Sequence, residues 1–227
     1  PIINTTPLPT PHPQCCYQGQ CSNCGEQNKT PILLVHGHSF MKAHSPELAF
    51  TRLNFLQEEL AQNEYLNAGR IGAGFGGDAI PPGDWGRNPL PVVVSMTYYY
   101  INTYYIGELH VVTRKTDSIE NYAIRLKENI DLVRQKTGSD ELILIAHSMG
   151  GLVSREYLRL FGDDKIKALI ILGTPNQGVE GDVRRFCTVT GAKQECEDMH
   201  AGSLFLRRLN APGSEPQHTQ EIGRAHV

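Results

Sequence analysis

The stretch Leu142-Ile143-Leu144-Ile145-Ala146-His147-Ser148-Met149-Gly150-Gly151 constrains the chain more than any other. Leu142 to Ala146 is a continuous apolar run, long enough for a parallel strand buried on both faces. A helix-forming segment follows without a spacer, from Met149 to about Phe161, with Gly162 as its stop. A turn that tight forces the serine between strand and helix into a strained backbone and lifts its hydroxyl above the sheet. The residues two before and two after the serine must then be small, because backbones pass close there. Ala146 and Gly150 meet that demand, with Ala standing where Gly is usual. A serine that only caps a helix after a strand would give the same string.

Further strands and helices alternate around this unit. Ile32-Leu33-Leu34-Val35 follows Pro31, Val92-Val93-Val94-Ser95-Met96 forms a second run that can continue into the tyrosines, and Ala168-Leu169-Ile170-Ile171-Leu172 forms a third. Ser45-Pro46 reads as a helix start, with Ala49, Leu53, Leu56 and Leu60 on one face. Asp117-Ser118 opens another helix, with Glu120 in a capping-box-like position; Ile119, Tyr122, Ala123, Leu126, Ile130 and Val133 keep the helical period up to Gly138. The glycines and prolines of residues 67–91 read as a long surface loop. Such alternation implies an α/β chain, a mostly parallel sheet with helices on both faces. Of the 227 residues, 40% are hydrophobic and 20% charged, which is a globular composition. The 21 basic and 24 acidic side chains form no basic field, so nucleic acid is not an expected partner. No apolar run is long enough to span a membrane as a helix.

Val35-His36-Gly37-His38 is the second chemical signal. A serine that attacks an acyl carbonyl needs two N–H groups aimed at the developing oxyanion. The residue after the serine, Met149, supplies one. A loop after an earlier strand supplies the other, and Gly37 lets this loop turn so that the N–H of His38 faces the site. The rings of His36 and His147 read as a loop anchor and a packing neighbour of Ser148, not as the base.

Ile32 to His38, Ala146 to Gly151 and Gly173-Thr174-Pro175-Asn176-Gln177-Gly178 together resemble the lipase branch of the α/β-hydrolases, over roughly residues 31–210. The A-H-S-M-G-G turn is similar to that of small bacterial lipases. The resemblance implies the α/β-hydrolase fold, Ser148 as nucleophile, and the main-chain N–H groups of Met149 and His38 as oxyanion donors. It implies a serine carboxylic-ester hydrolase acting through an acyl-enzyme on lipid or other apolar acyl esters, with peripheral contact to a lipid surface. Acyl transfer to an alcohol and deacylation of a lipid anchor use the same serine turn. A non-catalytic binding module on this fold is the reading from another class. Ser203-Leu204-Phe205-Leu206-Arg207-Arg208-Leu209-Asn210 is similar to the helix that follows the lid in such enzymes.

The family's acid and histidine follow the nucleophile at the ends of two later strands. After Leu172 the sequence pattern has no further strand. Asp182 and Asp198 fall in a lid-like segment, about residues 176–200; Glu215 and His218 fall in a polar tail. No acid and no base are therefore assigned. The expectation is a partial domain over residues 31–220 whose last strands and triad partners lie beyond the end of the chain, and which turns over little alone. Residues 221–227 read as the translation of a common sequencing adapter, the alternative being a natural polar tail. No cofactor is expected, and no metal is assigned. The Pro- and Cys-rich residues 1–30 read as a linker or extension. Its Cys15, Cys16, Cys21 and Cys24 can form disulfides or hold zinc, and disulfides are favoured because only Cys21 and Cys24 have metal-ligand spacing. Cys187 and Cys196 read as a disulfide stapling the lid, and the cysteines together point to a secreted or cell-surface site. Tyr98, Tyr99, Tyr100, Tyr104 and Tyr105 either line an acyl pocket or form a partly exposed loop. Gly72, Gly74 and Gly77 match a dinucleotide-binding string but lack its strand and helix, and are set aside.

Overall fold

The computed structural model describes residues 14–17, 20–23, 30–38, 46–72, 91–106, 109–115, 117–181, 193–214 and 219–224. In chain order the strands and helices are β1 (Gln14–Tyr17), β2 (Gln20–Asn23), β3 (Ile32–Val35), α1 (Pro46–Gln62), β4 (Leu66–Gly72), β5 (Val92–Thr97), β6 (Tyr100–Ile106), β7 (Leu109–Lys115), α2 (Ile119–Thr137), β8 (Leu142–His147), α3 (Met149–Phe161), β9 (Ile166–Leu172), α4 (Lys193–Met199), α5 (Leu204–Leu209) and β10 (Gln220–Arg224). Six strands form one sheet in the order β10-β9-β8-β3-β5-β4, and every pair in it is parallel. β1 and β2 form a separate antiparallel hairpin that sets Cys16 opposite Cys21, within a region the sequence reads as linker. β6 and β7 form a second hairpin, so the tyrosine run leaves the main sheet after Thr97 instead of prolonging β5.

The central strands are apolar throughout because both their faces are covered. Ile32 and Leu34 of β3 share one face with Val93 and Ile145 and pack on Leu53, Leu56 and Leu60 of α1. Leu33 and Val35 face the other way, with Val94, Leu144 and Leu169, against α2 and α3. α2 buries the stripe anticipated from its period and ends on Gly138 in the left-handed conformation (φ 72°), whose N–H reaches Arg134 O. Its N-cap is Ser118, whose hydroxyl accepts the Asn121 N–H at 3.2 Å. The anticipated Asp117–Glu120 capping box is thus displaced by one residue: Asp117 lies outside the helix and accepts from Ser118 N.

Two strands of the main sheet escaped the sequence pattern. β4 lies inside what reads as a glycine-rich loop. Gly69 (φ 78°) falls in the register shift between Asn67 and Arg70, so it bends an edge strand without ending it, while Leu66, Ala68 and Ile71 stay buried. β10 pairs with β9 from Gln220↔Ala168 to Arg224↔Leu172, so β9 is not the sheet's edge as anticipated. β10 has no apolar run to announce it. Its approach is held by polar bonds from Thr219 to Asp163 and Ile166 O, and Gly223 leaves room for the Ile171 side chain.

A buried polar knot ties α1 to the sheet edge. Gln57 accepts from the Ser95 hydroxyl (2.7 Å) and donates to Asn67 Oδ1 and Gly69 O, both at 2.8 Å. Removing it leaves the buried Ser95 hydroxyl without this partner and empties a buried site. Gln57→Ala should lower the unfolding free energy by about 2–3 kcal/mol in urea titrations. Phe55→Ala on the same helix, at a side chain 76% exposed, should change it by less than about 0.5 kcal/mol.

Candidate active site

Ser148 stands between β8 and α3 with φ 53° and ψ −126°, and its side chain makes no capping bond. Among the described residues only Glu64 shares a positive φ without being glycine. A side chain there is strained, and the strain persists because neighbours over-determine the turn. Ser148 N donates to Leu172 O of β9 (2.8 Å), and Ser148 O accepts from Gly151 N (3.0 Å). Ser148 itself remains partly exposed. The bland alternative, a helix-capping serine, does not describe this side chain.

The loop after β3 lies directly on that turn. A Cβ added to Gly37 would sit 2.7 Å from Ser148 Cβ and 2.9 Å from His147 O. One added to Gly150 would sit 2.4 Å from His36 O and 2.7 Å from Val35 O. The smallness required after the serine therefore comes from the end of β3, not from the serine's own strand. Gly151 is closed in the same way by Thr174 Oγ1, 2.0 Å from its virtual Cβ. The structure thus brings together the sequence-nominated Ser148, Met149 and the His36–His38 loop. Met149, wholly buried, is the first residue of α3, where helix geometry gives its N–H no partner within the helix.

His36 is an anchor, as its sequence setting suggests. Its Nδ1 lies 2.7 Å from Gly37 O and its Nε2 3.0 Å from Thr97 Oγ1. A carbonyl only accepts, so Nδ1 carries the proton and Nε2 accepts from the threonine hydroxyl. Its ring stacks on Tyr98 (4.1 Å between centroids), and Tyr98 OH donates to His36 O at 2.8 Å. Burial pushes the imidazole pKa down to about 4, against a smaller upward pull from Gly37 O. Tyr98 and Tyr99 are buried behind this loop and so do not belong to an exposed one. The side chains of Tyr100, Tyr104 and Tyr105 lie outside the description.

His38 joins its ring to a residue that sequence reasoning passed over. Its Nδ1 is 2.6 Å from Glu195 Oε2, with both side chains almost fully buried. Tyr122 OH donates to Glu195 Oε1. Glu195 gave no signal because it sits in the segment the sequence reads as a lid, within the acidic run Glu195-Cys196-Glu197-Asp198. Asp198 accepts from Ile119 N at the start of α2 (2.9 Å), and burial raises its pKa. His200 forms an isolated bridge with Val179. Asp182, Cys187, Glu215 and His218 lie outside the described residues. Cys196 is disulfide-bonded. Among the described residues no cluster of three or more His, Cys, Asp or Glu could hold a metal ion.

The family model described as alpha/beta hydrolase fold matches residues 74–186, a span that includes Ser148. Two solved structures share the architecture. Lipase B of Aspergillus fumigatus is 12% identical, with TM-score 0.53, over 88% of this chain and 38% of that one. The mature lipase BlEst2 of Bacillus licheniformis is 16% identical, with TM-score 0.50, over 86% of this chain and 64% of that one. The chain has the α/β-hydrolase fold. It spans less than two thirds of the length of either lipase. No curated protein matches the sequence.

Within this hydrolase fold the T-P-N-Q-G segment serves as a strut. Arg155 of α3 donates to both Asn176 Oδ1 and Asn210 Oδ1 at 3.0 Å, and Asn210 Nδ2 donates to Asn176 O. The segment beyond it is pinned where Val179 N meets Met199 O and Ala201 N meets Val179 O.

The His36 anchor has a pH signature. Its folded pKa, about 4, lies below the ordinary 6.5, so between those values the unfolded chain binds more protons. The stability that this neutral ring contributes is complete above about pH 6.5 and falls as pH drops toward 4, by about 1.4 kcal/mol per unit. His36→Asn should therefore be less stable than wild type at pH 7 but lose about 2–3 kcal/mol less between pH 7 and 4.5. Denaturant titrations at the two pH values measure the difference.

Proposed function

We propose that the protein is a serine carboxylic-ester hydrolase of lipase or esterase type that takes lipid or other apolar acyl esters. Ser148 Oγ attacks the ester carbonyl, the main-chain N–H groups of Met149 and His38 hold the oxyanion, and water releases the acyl group from the serine. The observation that carries this reading is the strained, uncapped Ser148 with Gly37 pressed against its Cβ. A serine held at positive φ, uncapped and closely approached by a glycine loop, suits acyl transfer, and a structural serine needs none of the three. The fold shared with two lipases supports the substrate class. The base that takes the serine proton is assigned to no described residue.

In the full-length natural protein, a fluorophosphonate probe should label Ser148, and Ser148→Ala should abolish labelling and lower hydrolysis of a short-chain nitrophenyl ester by about 10⁴-fold or more. Labelling that survives the substitution would refute the assignment.

The disulfide of Cys196 supports an oxidising compartment, and with it a secreted or cell-surface location. We assign Cys187 as its partner. Non-reducing peptide mapping should recover one linked pair containing both residues. A linked pair joining Cys196 to one of the N-terminal cysteines would overturn it.

A further inference from the structure

We propose that Glu195 is a positioning residue for the oxyanion loop, through which α4 sets the direction of the His38 N–H. The inference rests on the reading of Ser148 and of the two N–H donors given above. The relevant unit is the peptide between Gly37 and His38. No cis peptide bond occurs among the described residues, so the Gly37 C=O and the His38 N–H point in opposite directions from one plane. His36 Nδ1 grips the carbonyl side of that plane at 2.7 Å. Glu195 Oε2 holds the ring of His38, the residue that carries the N–H, at 2.6 Å. Gly37 itself has no side chain to resist rotation, and glycine is the residue least able to hold a peptide orientation unaided. Turning the His38 N–H away from Ser148 would require breaking one of these two grips.

Glu195 is in turn fixed to the body of the fold. Its second oxygen takes the Tyr122 hydroxyl, which accepts the Asp117 N–H at 2.9 Å. Asp198 stands three residues further along α4, on the same face, and takes the Ile119 N–H at 2.9 Å. Two carboxylates therefore dock one short helix on the first turn of α2, and one of them continues to the loop beside Ser148. A fully buried carboxylate is costly unless each oxygen is satisfied. Here the partners that satisfy it are a core tyrosine and His38, the residue assigned above as an oxyanion donor. The neighbouring Cys196 is buried and disulfide-bonded, which ties the same turn covalently.

The test compares Glu195→Ala and Glu195→Gln in the full-length natural protein, with Ser148→Ala as reference, on a short-chain nitrophenyl ester. Misplacing an oxyanion donor costs transition-state stabilisation more than substrate binding. Glu195→Ala should lower kcat by about 10- to 100-fold with KM changed less than about twofold. Affinity for a trifluoromethyl ketone, which forms the tetrahedral oxyanion on the serine, should fall in parallel. Glu195→Gln keeps an oxygen for His38 Nδ1–H and should recover most of the loss. If Glu195→Ala does not fold, as judged by circular dichroism, the comparison moves to Glu195→Gln and Tyr122→Phe, each expected to lower kcat by several-fold at unchanged KM. Ser148-dependent turnover that is unaltered by the folded variants overturns the coupling and leaves the proposed function standing. Turnover that survives Ser148→Ala overturns both.

Discussion

The close approach of three backbones around Ser148 is the constraint on which the rest of the site depends. The end of β3, the turn after β8 and the first turn of α3 meet at distances no side chain tolerates: the virtual Cβ atoms of Gly37 and Gly150 fall within 2.7 Å and 2.4 Å of their neighbours. Glycine at these positions lets main chain approach main chain around the serine. Main-chain donors on rigid elements suit oxyanion stabilisation because they need no reorganisation when charge develops. The strained φ of Ser148 follows from the same crowding, since a relaxed turn would require the β3 loop to withdraw.

Crowding fixes position but not orientation, and orientation comes from buried polar groups. His36 is kept neutral by burial, so its Nδ1 donates to Gly37 O and its Nε2 accepts from Thr97. A protonated ring would present two donors, and the Thr97 contact would lose its acceptor unless the hydroxyl turned around. Arg125 braces the layer beneath by donating to Tyr98 O and to Asp117, while Tyr122 stacks near Tyr98. The aromatic cluster thereby excludes water from the back of the loop, and its hydroxyls supply the bonds that water would have made.

What could be read from the residues follows from how each signal arises. β8, β9 and α3 are legible because burial on both faces demands uninterrupted apolar strands, and Ala146-His147-Ser148-Met149-Gly150-Gly151 allows no relaxed turn between them. β4 was hidden because Gly69 belongs equally to a loop and to a bulged edge strand, and only pairing with β5 decides between them. β10 was hidden because a parallel edge strand can be held by main-chain bonds with Ile222 as its one large apolar residue. Glu195 was hidden for a different reason. The partners that make its burial tolerable lie 157 residues away at His38 and 73 away at Tyr122, and no local pattern records such distances.

The location of the site follows from strand order, which no local pattern contains. From β3 the chain moves to β5 and β4 on one side of the sheet, and later to β8, β9 and β10 on the other. The two directions of winding part between β3 and β8, so the connections leaving their carboxyl ends diverge and open a crevice there. His36 to His38 leave the end of β3, and Ser148 and Met149 leave the end of β8. Register completes the arrangement. Val35 pairs with Ala146, so the two strands end within one residue of each other and the segments that follow them meet at the crevice. A register shifted by one residue would turn Leu33 and Val35 toward α1 and carry Gly37 off the serine, so the packing of both faces and the geometry of the site select the same alignment.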